Sequence, residues 1–240
     1  MIIYFDESYD SERHYLLYGA LFLPPSSTLH QRFLRIRRDM NYRPEIKYTR
    51  CRNLRALRVC KRVIDAYMED QAFFRCVVVD QHGFDYRRFC RPDEPLAMGK
   101  ARAYKKFTEM LLDPYVADLT NAVFLADDLE RCDGDEFLER IRERFNVPDQ
   151  PPTFRHLAEV PSNVEEYQCL QVCDLLLGCV LNNLKTPGNR YKIEIRQYLC
   201  SRLGVRNFLP SSWKDVPLTR ARDTAVKFNV WYWSAKEKPR

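Results

Sequence analysis

The sequence predicts an α/β layer fold with a mixed sheet, because a β-hairpin pattern opens the chain and strand and helix patterns alternate after it. Its 240 residues, of which 45% are hydrophobic and 13% aromatic, suffice for a sizeable buried core. We therefore expect one domain over residues 1–240, with a core that ends at about residue 184. A helical and extended elaboration is expected over about residues 185–240.

Each element follows from a local pattern. Residues 2–5 and 14–23 are β-branched and aromatic, and the polar residues 7–12 between them predict the turn of a hairpin. Ser26-Ser27 and Asn53 are residue types that typically precede the first turn of a helix. The remaining patterns predict helices over about 26–40, 53–68, 97–118, 133–145, 164–184 and 193–203, and strands over 73–80, 122–126, 154–160 and 226–233.

Several classes of protein are excluded by composition and motifs. The longest apolar run, residues 175–181, is far shorter than the ~20 residues of a membrane span. The N-terminus lacks the basic region of a targeting signal, so we expect a cytoplasmic protein without membrane attachment. The glycines form neither a dinucleotide fingerprint nor a phosphate-binding loop. Nine cysteines, an odd number without a C-x-x-C pair, predict reduced thiols.

Acidic residues at predicted strand ends are the first candidates for chemistry. Asp6 ends the first strand and is followed by Glu7 and Ser8, and Asp127-Asp128 end a later strand. When each position is considered alone, turn formation or helix capping is the better explanation. The strand ends therefore need a further residue before they indicate a site.

Asp174 supplies that residue, because its neighbours in the helical segment LQVCDLLLG are nearly all apolar. A buried carboxylate must be paired, protonated or bound to a metal, and a plain salt bridge is the competing explanation. Gln171 precedes Asp174 by three residues and Gly178 follows it by four, so all three share one helix face.

Asp6, Asp127 and Asp174 together would offer three hard oxygen ligands, the type that Mg²⁺ or Mn²⁺ prefers. Two such ions roughly 4 Å apart activate water and stabilise the leaving oxygen of a phosphodiester. Glu45 is a candidate fourth ligand, and Lys47 is a candidate phosphate contact on the same side of an extended segment. An exposed surface pair explains Glu45 and Lys47 equally well.

Five segments of the chain resemble the domain-of-unknown-function 3800 family, and together they span nearly its whole length. The segments are the opening IIYFDES, the tripeptide Glu45-Ile46-Lys47, the strand ending in Asp127-Asp128, the helical LQVCDLLLG and the closing FNVWYW. Tyr9 and Cys173 stand where the family usually has glycine and alanine, and neither difference removes a carboxylate.

This resemblance implies a ribonuclease H-like fold with a carboxylate metal site. Asp6, Asp127 and Asp174 would be the ligands, and Asp127 is preferred to Asp128 because it occupies the family's first acidic position. The neighbours of the site would be Glu7, Glu45, Lys47 and Gln171. Members of the family are often linked to mobile elements or phage defence.

A basic segment is a separate indication, within a chain of net charge +6. Residues 43–62 hold eight Lys and Arg residues against one acid, Glu45, which is typical of a phosphate track but also of a solvated helix face. Arg55, Arg58 and Arg62 fall at helical spacing and would form one face. The predicted substrate-binding residues are Ser8, Lys47, Arg50, Arg55, Arg58, Arg62 and Gln171.

These observations predict a Mg²⁺- or Mn²⁺-dependent nuclease acting on DNA or RNA, in phage defence or a mobile element. The predicted catalytic residues are Asp6, Glu7, Asp127 and Asp174, and the predicted metal ligands are Asp6, Asp127, Asp174 and Glu45. Either Glu7 or Glu45 would complete the site or orient water. Two alternatives stay open: a non-catalytic nucleic-acid-binding or scaffolding subunit of such a system, and a metal-dependent phosphoesterase for nucleotides.

Overall fold

A six-stranded mixed sheet flanked by helices forms the protein, as the computed structural model describes it for residues 1–9, 14–82, 84–116, 119–128, 135–184, 189–209 and 226–234. The strands are β1 (Ile2–Tyr9), β2 (Tyr15–Leu23), β3 (Phe73–Asp80), β4 (Ala122–Asp127), β5 (Phe154–Val160) and β6 (Phe228–Ser234). The helices are α1 (Leu29–Asp39), α2 (Leu54–Glu69), α3 (Leu96–Val116), α4 (Phe137–Phe145), α5 (Cys169–Leu184) and α6 (Arg190–Leu203). The predicted α/β class is confirmed.

The strand order is β5-β4-β1-β2-β3-β6. Antiparallel pairing joins β1 to β2 and β2 to β3, which confirms the predicted hairpin. Parallel pairing joins β1 to β4, β4 to β5 and β3 to β6. The late strand β6, predicted from its alternation, therefore forms one edge of this sheet.

The two faces of the sheet bury different cores because successive side chains of a strand point to opposite sides. Tyr4 and Leu125 belong to the core that includes α5, α2 and α1, whereas Ile3 and Phe5 belong to the core that includes α3 and α4. Helix α5 is apolar nearly all round and buried along most of its length, as expected for a central core helix.

Close approach of α5 to the sheet depends on Gly19 in β2. A Cβ atom at this position would lie 2.6 Å from the Cγ of Leu177 on α5, closer than real side chains pack. Glycine at residue 19 therefore lets α5 lie flat against β1 and β2.

Several predicted boundaries are corrected by long-range contacts. The expected turn at residues 7–12 begins later, because Glu7 to Tyr9 pair with Tyr18 to Leu16 and extend β1. The expected cap Ser26-Ser27 does not start α1: the Ser27 hydroxyl donates to Asp70 at 2.6 Å, and the helix begins at Leu29.

Of two other predicted helix starts, one is confirmed and one is corrected. The predicted cap at Asn53 is confirmed, since its side chain accepts a hydrogen bond from the Ala56 amide at 2.9 Å. The helix expected from residue 164 begins as a short 3-10 turn, Glu165–Tyr167, and the α-helix starts only at Cys169. Helix α4 begins at Phe137, and residues 133–134 of its expected first turn lie outside the described residues.

Eight of the nine cysteines lie in the described residues, and all eight are free thiols there. Burial raises the pKa of the Cys173 and Cys179 thiols well above its usual value, so both stay protonated and unreactive. Cys132 lies outside the described residues, so complete reduction of all nine stays a prediction.

Among the helices in the described part of the chain, none has both the length and the apolar character of a membrane span.

Candidate functional site

Asp6 and Asp127 stand at the same level on two neighbouring parallel strands. Asp127 ends β4, whereas β1 continues to Tyr9, so the strand end predicted at Asp6 is corrected. Phe5 of β1 pairs with Ala126 of β4, so the residue that follows on each strand is an aspartate. Parallel neighbours lie about 4.8 Å apart, and alternation from Tyr4 and Leu125 turns both aspartates toward the α5 face. Ligand sites of open α/β sheets lie at the carboxyl ends of the parallel strands, and Asp127 stands at such an end.

The alternation of side chains along β4 also distinguishes the two members of the Asp127-Asp128 doublet. Asp127 is half-buried on the α5 face, whereas Asp128 is exposed and its amide donates to the Val160 carbonyl at 3.2 Å. Asp127 is therefore the member of the doublet that stands beside Asp6.

Helix α5 brings Asp174 to the same place and holds it through the segment of residues 46–48. The Tyr48 amide donates to Oδ2 of Asp174 at 2.7 Å, and the Ile46 amide donates to Oε1 of Gln171 at 2.8 Å. A Cβ atom at Gly178 would lie 2.2 Å from the Cβ of Tyr48, so only glycine leaves room for the tyrosine. The Gln171 amide, the Asp174 carboxylate and the space beside Gly178 therefore all contact the segment of residues 46–48, where an extended stretch leads into a 3-10 turn, Tyr48–Arg50.

Gln171 is thereby a positioning residue and lies in the interior. It is 1% exposed, its Nε2 donates to the Ser162 carbonyl at 2.6 Å, and its Oε1 also accepts from Nη1 of Arg37 at 3.2 Å. The substrate contact expected at Gln171 is not what the structure places there, because its amide is occupied by the chain itself.

Burial and mutual repulsion raise the pKa of the three aspartates. Asp6 is 6% exposed, and burial, followed by the charges of Asp174, Glu7 and Asp127, raises its pKa well above the usual range. Burial raises the pKa of Asp174 to about 6, against the opposing effects of the Tyr48 amide and Lys47.

The pKa of Asp127 is raised in the same way, first by burial and then by neighbouring carboxylates, with Lys47 as the main opposing group. Because Asp127 also raises the pKa of both Asp6 and Asp174, the three carboxyls act on one another. The carboxyls of Asp6, Asp127 and Asp174 are therefore close enough to affect one another's ionisation. Their surroundings are largely buried and carry more negative than positive charge.

Glu45 and Lys47 lie at the edge of this cluster and carry opposite charges. Glu45 pairs with Arg50 at 2.8 Å, and the Nζ of Lys47 lies 4.0 Å from its other oxygen. Lys47 also lowers the pKa of Asp127 and Asp174, so its ammonium already offsets part of the negative charge. Arg50, expected at a substrate, is thus an ion-pair partner of Glu45.

Glu7 stands on the other face of the sheet, although its charge still raises the pKa of the adjacent Asp6. Alternation along β1 turns its side chain toward α3, where the Tyr104 hydroxyl donates to Oε2 of Glu7 at 2.7 Å. The structure does not place this carboxylate in the cluster, so Glu45 is the acid that accompanies the triad. Ser8 returns to the α5 face and is half-buried.

The arginines predicted to form a phosphate face lie on α2 and differ from one another. Arg58 and Arg62 are exposed, and within the described residues neither makes an ion pair. Arg55 instead donates to the Met40 and Asn41 carbonyls at 3.2 and 2.7 Å, so it ties the end of α1 to α2. The three arginines are therefore not equivalent phosphate contacts.

Arg37 belongs to this neighbourhood but is not among the site residues predicted from the sequence. It is half-buried, and its guanidinium reaches Gln171. Its guanidinium also lies over the ring of Phe33, four residues earlier, at 6.0 Å. The spacing of four residues from a buried phenylalanine is the signal in the sequence that places Arg37 at the edge of the inner face.

The cluster fits a divalent cation in charge and in donor type. Its ligands would be hard carboxylate oxygens, and a cation would relieve the repulsion that raises their pKa. One oxygen each of Asp6 and Asp174 accepts a backbone amide, and the other has no donor among the described residues. Within the described ranges, no group of three or more His, Cys, Asp or Glu residues is placed so that it could hold a metal ion.

Comparisons of the chain with protein-family models, curated proteins and solved structures find no match.

Proposed function

We propose that this protein is a Mg²⁺- or Mn²⁺-dependent nuclease of ribonuclease H-like fold that hydrolyses phosphodiester bonds of DNA or RNA. The observation that carries the proposal is the meeting of Asp6, Asp127 and Asp174, from two strands and a helix, on one face of the sheet. The resemblance to the domain-of-unknown-function 3800 family supports a role in phage defence or in a mobile element.

The order and direction of the strands support the ribonuclease H-like assignment. A hairpin extends into a three-stranded antiparallel part, and the first strand also pairs in parallel with β4, which pairs in parallel with β5. Asp6 and Asp127 lie where the antiparallel and parallel parts meet, and a packed helix adds the third acid. This is the arrangement on which a carboxylate metal site of that fold would be built.

Asp6, Asp127 and Asp174 would hold the metal, with Glu45 as the fourth candidate ligand. The bound ion would supply an activated water and a positive charge for the leaving oxygen. Lys47 lowers the pKa of Asp127 and Asp174, so it favours the ionised form that binds a cation. The Tyr48 amide fixes the orientation of the Asp174 carboxylate through a 2.7 Å hydrogen bond.

Asp174→Asn tests the site, because asparagine keeps the shape and still accepts the Tyr48 amide but removes one charge. In EDTA the variant should melt no lower than the wild type, since repulsion is reduced. It should lose the stabilisation that Mn²⁺ gives the wild type, together with nuclease activity on DNA or RNA. Glu7→Gln on the opposite face is the matched control and should keep both the metal response and the activity.

A structural salt bridge predicts the reverse result for Asp174→Asn. If Asp174 were one partner of a buried salt bridge, its removal would strand a buried cation and cost roughly 3–5 kcal/mol with or without metal. A large drop in melting temperature in EDTA, combined with no metal response in the wild type, would therefore end the metal-site proposal.

A non-catalytic nucleic-acid-binding subunit is the second candidate. It is favoured by the ion pairs that Lys47 and Arg50 make with Glu45, and by the lack of a preassembled metal-holding group in the described ranges. Nucleic-acid binding in EDTA without Mn²⁺-dependent cleavage would support this candidate over the nuclease.

A further inference from the structure

A sharp reversal of the chain at the end of α1 directs residues 43–48 toward the aspartate cluster. The Asn41 amide donates to the Arg38 carbonyl at 3.0 Å. The Tyr42 amide donates to the Arg37 carbonyl at 2.8 Å, and Asn41 has the left-handed φ of 46°. These features form a Schellman motif, a common hydrogen-bonded ending of a helix. The backbone of Arg37 therefore fixes the point at which this segment leaves α1.

The side chain of Arg37 holds the same segment at two further points. Its Nη2 donates to the carbonyl of Arg43, where the segment begins. Its Nη1 donates at 3.2 Å to Oε1 of Gln171, the same oxygen that accepts the Ile46 amide at 2.8 Å. One guanidinium thus links α1 to the start of the segment and to the α5 residue that binds its middle.

Neutral acceptors, rather than a carboxylate, hold the guanidinium of Arg37. It is half-buried, and it forms no ion pair within the ranges that the structure describes. Burial lowers its pKa, and Tyr42, Glu45 and Glu165 oppose this shift. Burial of a charge is costly unless the charge is paired. Stability alone therefore does not account for an arginine at residue 37, whereas its contacts with the segment do.

Two charged residues of the segment act on the aspartate cluster. Burial raises the pKa of Asp127 and Asp174, Lys47 opposes this shift and Glu45 adds to it. Because charge interactions weaken with distance, both effects depend on where the segment lies. The contacts of Arg37 with residues 43–46 are therefore transmitted to the cluster through the backbone.

We propose that Arg37 is a positioning residue of the candidate site, which holds residues 43–48 so that Glu45 and Lys47 stand beside the three aspartates. The planar guanidinium is required because its two nitrogens donate to acceptors on two different segments, whereas the ammonium of lysine is a single point of charge. The inference rests on the proposed function, because the residues that Arg37 aligns belong to the site of that reaction.

Arg37→Lys tests the proposal, because it keeps the positive charge but removes the fork of donors. Arg35→Lys is the matched control: Arg35 is exposed on the same helix, and its side chain makes no hydrogen bond or ion pair in the described part of the chain. Hydrogen exchange in EDTA monitors the Ile46 amide, and calorimetric titration measures the affinity for Mn²⁺. Circular dichroism confirms that both variants are folded.

The Ile46 amide should exchange about tenfold faster in Arg37→Lys, because its acceptor on Gln171 loses a neighbour that orients it. Mn²⁺ should bind about tenfold more weakly, since groups that orient metal ligands are typically worth 10- to 100-fold in affinity. With Mn²⁺ in excess, the KM for nucleic acid should stay within about twofold, because Arg37 is assigned no contact with the substrate. Arg35→Lys should stay within about twofold in all three measurements, as exposed substitutions usually do.

Arg37→Met separates the geometry of the side chain from its charge. It keeps a long apolar stem without any donor, so it should show the same faster exchange and weaker Mn²⁺ binding as Arg37→Lys. Wild-type values in Arg37→Lys with losses only in Arg37→Met would mean that charge alone matters, and this would overturn the positioning role.

Further outcomes distinguish this inference from the nuclease. Unchanged exchange of the Ile46 amide in Arg37→Lys, or faster exchange with unchanged Mn²⁺ affinity, would overturn the role of Arg37 and leave the nuclease standing. Mn²⁺ binding by the wild type without cleavage of DNA or RNA would remove the nuclease, and weaker binding by Arg37→Lys would still support the positioning role. No Mn²⁺ binding by the wild type would also remove the nuclease, and the exchange rate of the Ile46 amide then decides on Arg37 by itself.

Discussion

Asp6 and Glu7 are neighbours in β1, yet the two faces of the sheet give their carboxylates different surroundings. Asp6 points to the α5 face, and burial, followed by the charges of Asp174, Glu7 and Asp127, raises its pKa. Glu7 points to the α3 face, where the Tyr104 hydroxyl donates to it at 2.7 Å. A carboxylate that accepts a hydrogen bond is stabilised in its ionised form. Carboxyls that lie close to one another repel, and this repulsion favours the binding of a proton or a cation.

The cores on the two faces of the sheet also differ in the side chains that form them. The α3 face is rich in aromatic rings, with Tyr104 only 5.2 Å from Tyr18 and 5.0 Å from Phe137 between ring centroids. The α5 face is formed mainly by aliphatic side chains and buried thiols, which offer few hydrogen-bond donors. On the α5 face, Asp174 accepts its hydrogen bond from the backbone amide of Tyr48. The position of residues 46–48 therefore affects whether this carboxyl is ionised.

The largest effect should separate the two carboxylates of β1. Asp6→Asn should lower nuclease activity by at least about a hundredfold, because even groups that only support a metal ligand are worth 10- to 100-fold. Glu7→Gln keeps an acceptor for Tyr104 and should leave activity within the same order of magnitude. Steady-state cleavage with Mn²⁺ measures both, and similar losses would show that the faces are not functionally distinct.

Gly178→Ala should break the docking of residues 46–48 on the α5 face. The new Cβ would overlap Tyr48, and overpacking of this kind costs about 1–3 kcal/mol of unfolding free energy. Denaturant unfolding measures the loss, and hydrogen exchange at the Ile46 and Tyr48 amides should become faster. Unchanged exchange at both amides would contradict the docking.

The pH dependence of stability should carry the signature of Asp174. Its pKa is raised to about 6 in the folded protein, so between about pH 4 and 6 the unfolded chain releases a proton that the folded chain keeps. The contribution of Asp174 to wild-type stability in EDTA is therefore greatest at the acidic end of this range and should fall by about 3 kcal/mol as pH rises from 4 through 6. Asp174→Asn should flatten this part of the curve, and a stability that rises with pH in both proteins would oppose the assignment.

The smallest effect is expected on the α3 face. Tyr104→Phe removes the hydroxyl that donates to Glu7 and should cost about 0.5–1.5 kcal/mol in unfolding free energy. A double-mutant cycle with Glu7→Gln isolates the pair, and Mn²⁺-dependent activity should not change. A coupling energy near zero would mean that the hydrogen bond does not stabilise Glu7.

Local patterns were enough for much of the fold. Strands β3 and β5 have the predicted bounds, because a continuous run of β-formers and a turn on each side are visible within a few residues. The cap at Asn53 and the shared helix face of Gln171, Asp174 and Gly178 are local in the same way. The acids of the cluster were also identifiable, since strand ends and an acid in an apolar helix are properties of short windows.

The sequence by itself thus determined the element order and the identity of the acids, whereas the tertiary structure decided how they meet. Only the parallel register places Asp6 beside Asp127, and only the packing of α5 brings Asp174 to the backbone of a segment more than a hundred residues earlier. The same contacts occupy Gln171 with backbone groups. Periodicity records which face of an element is buried, but pairing and docking between distant segments depend on shape and on hydrogen-bond partners that no local pattern contains.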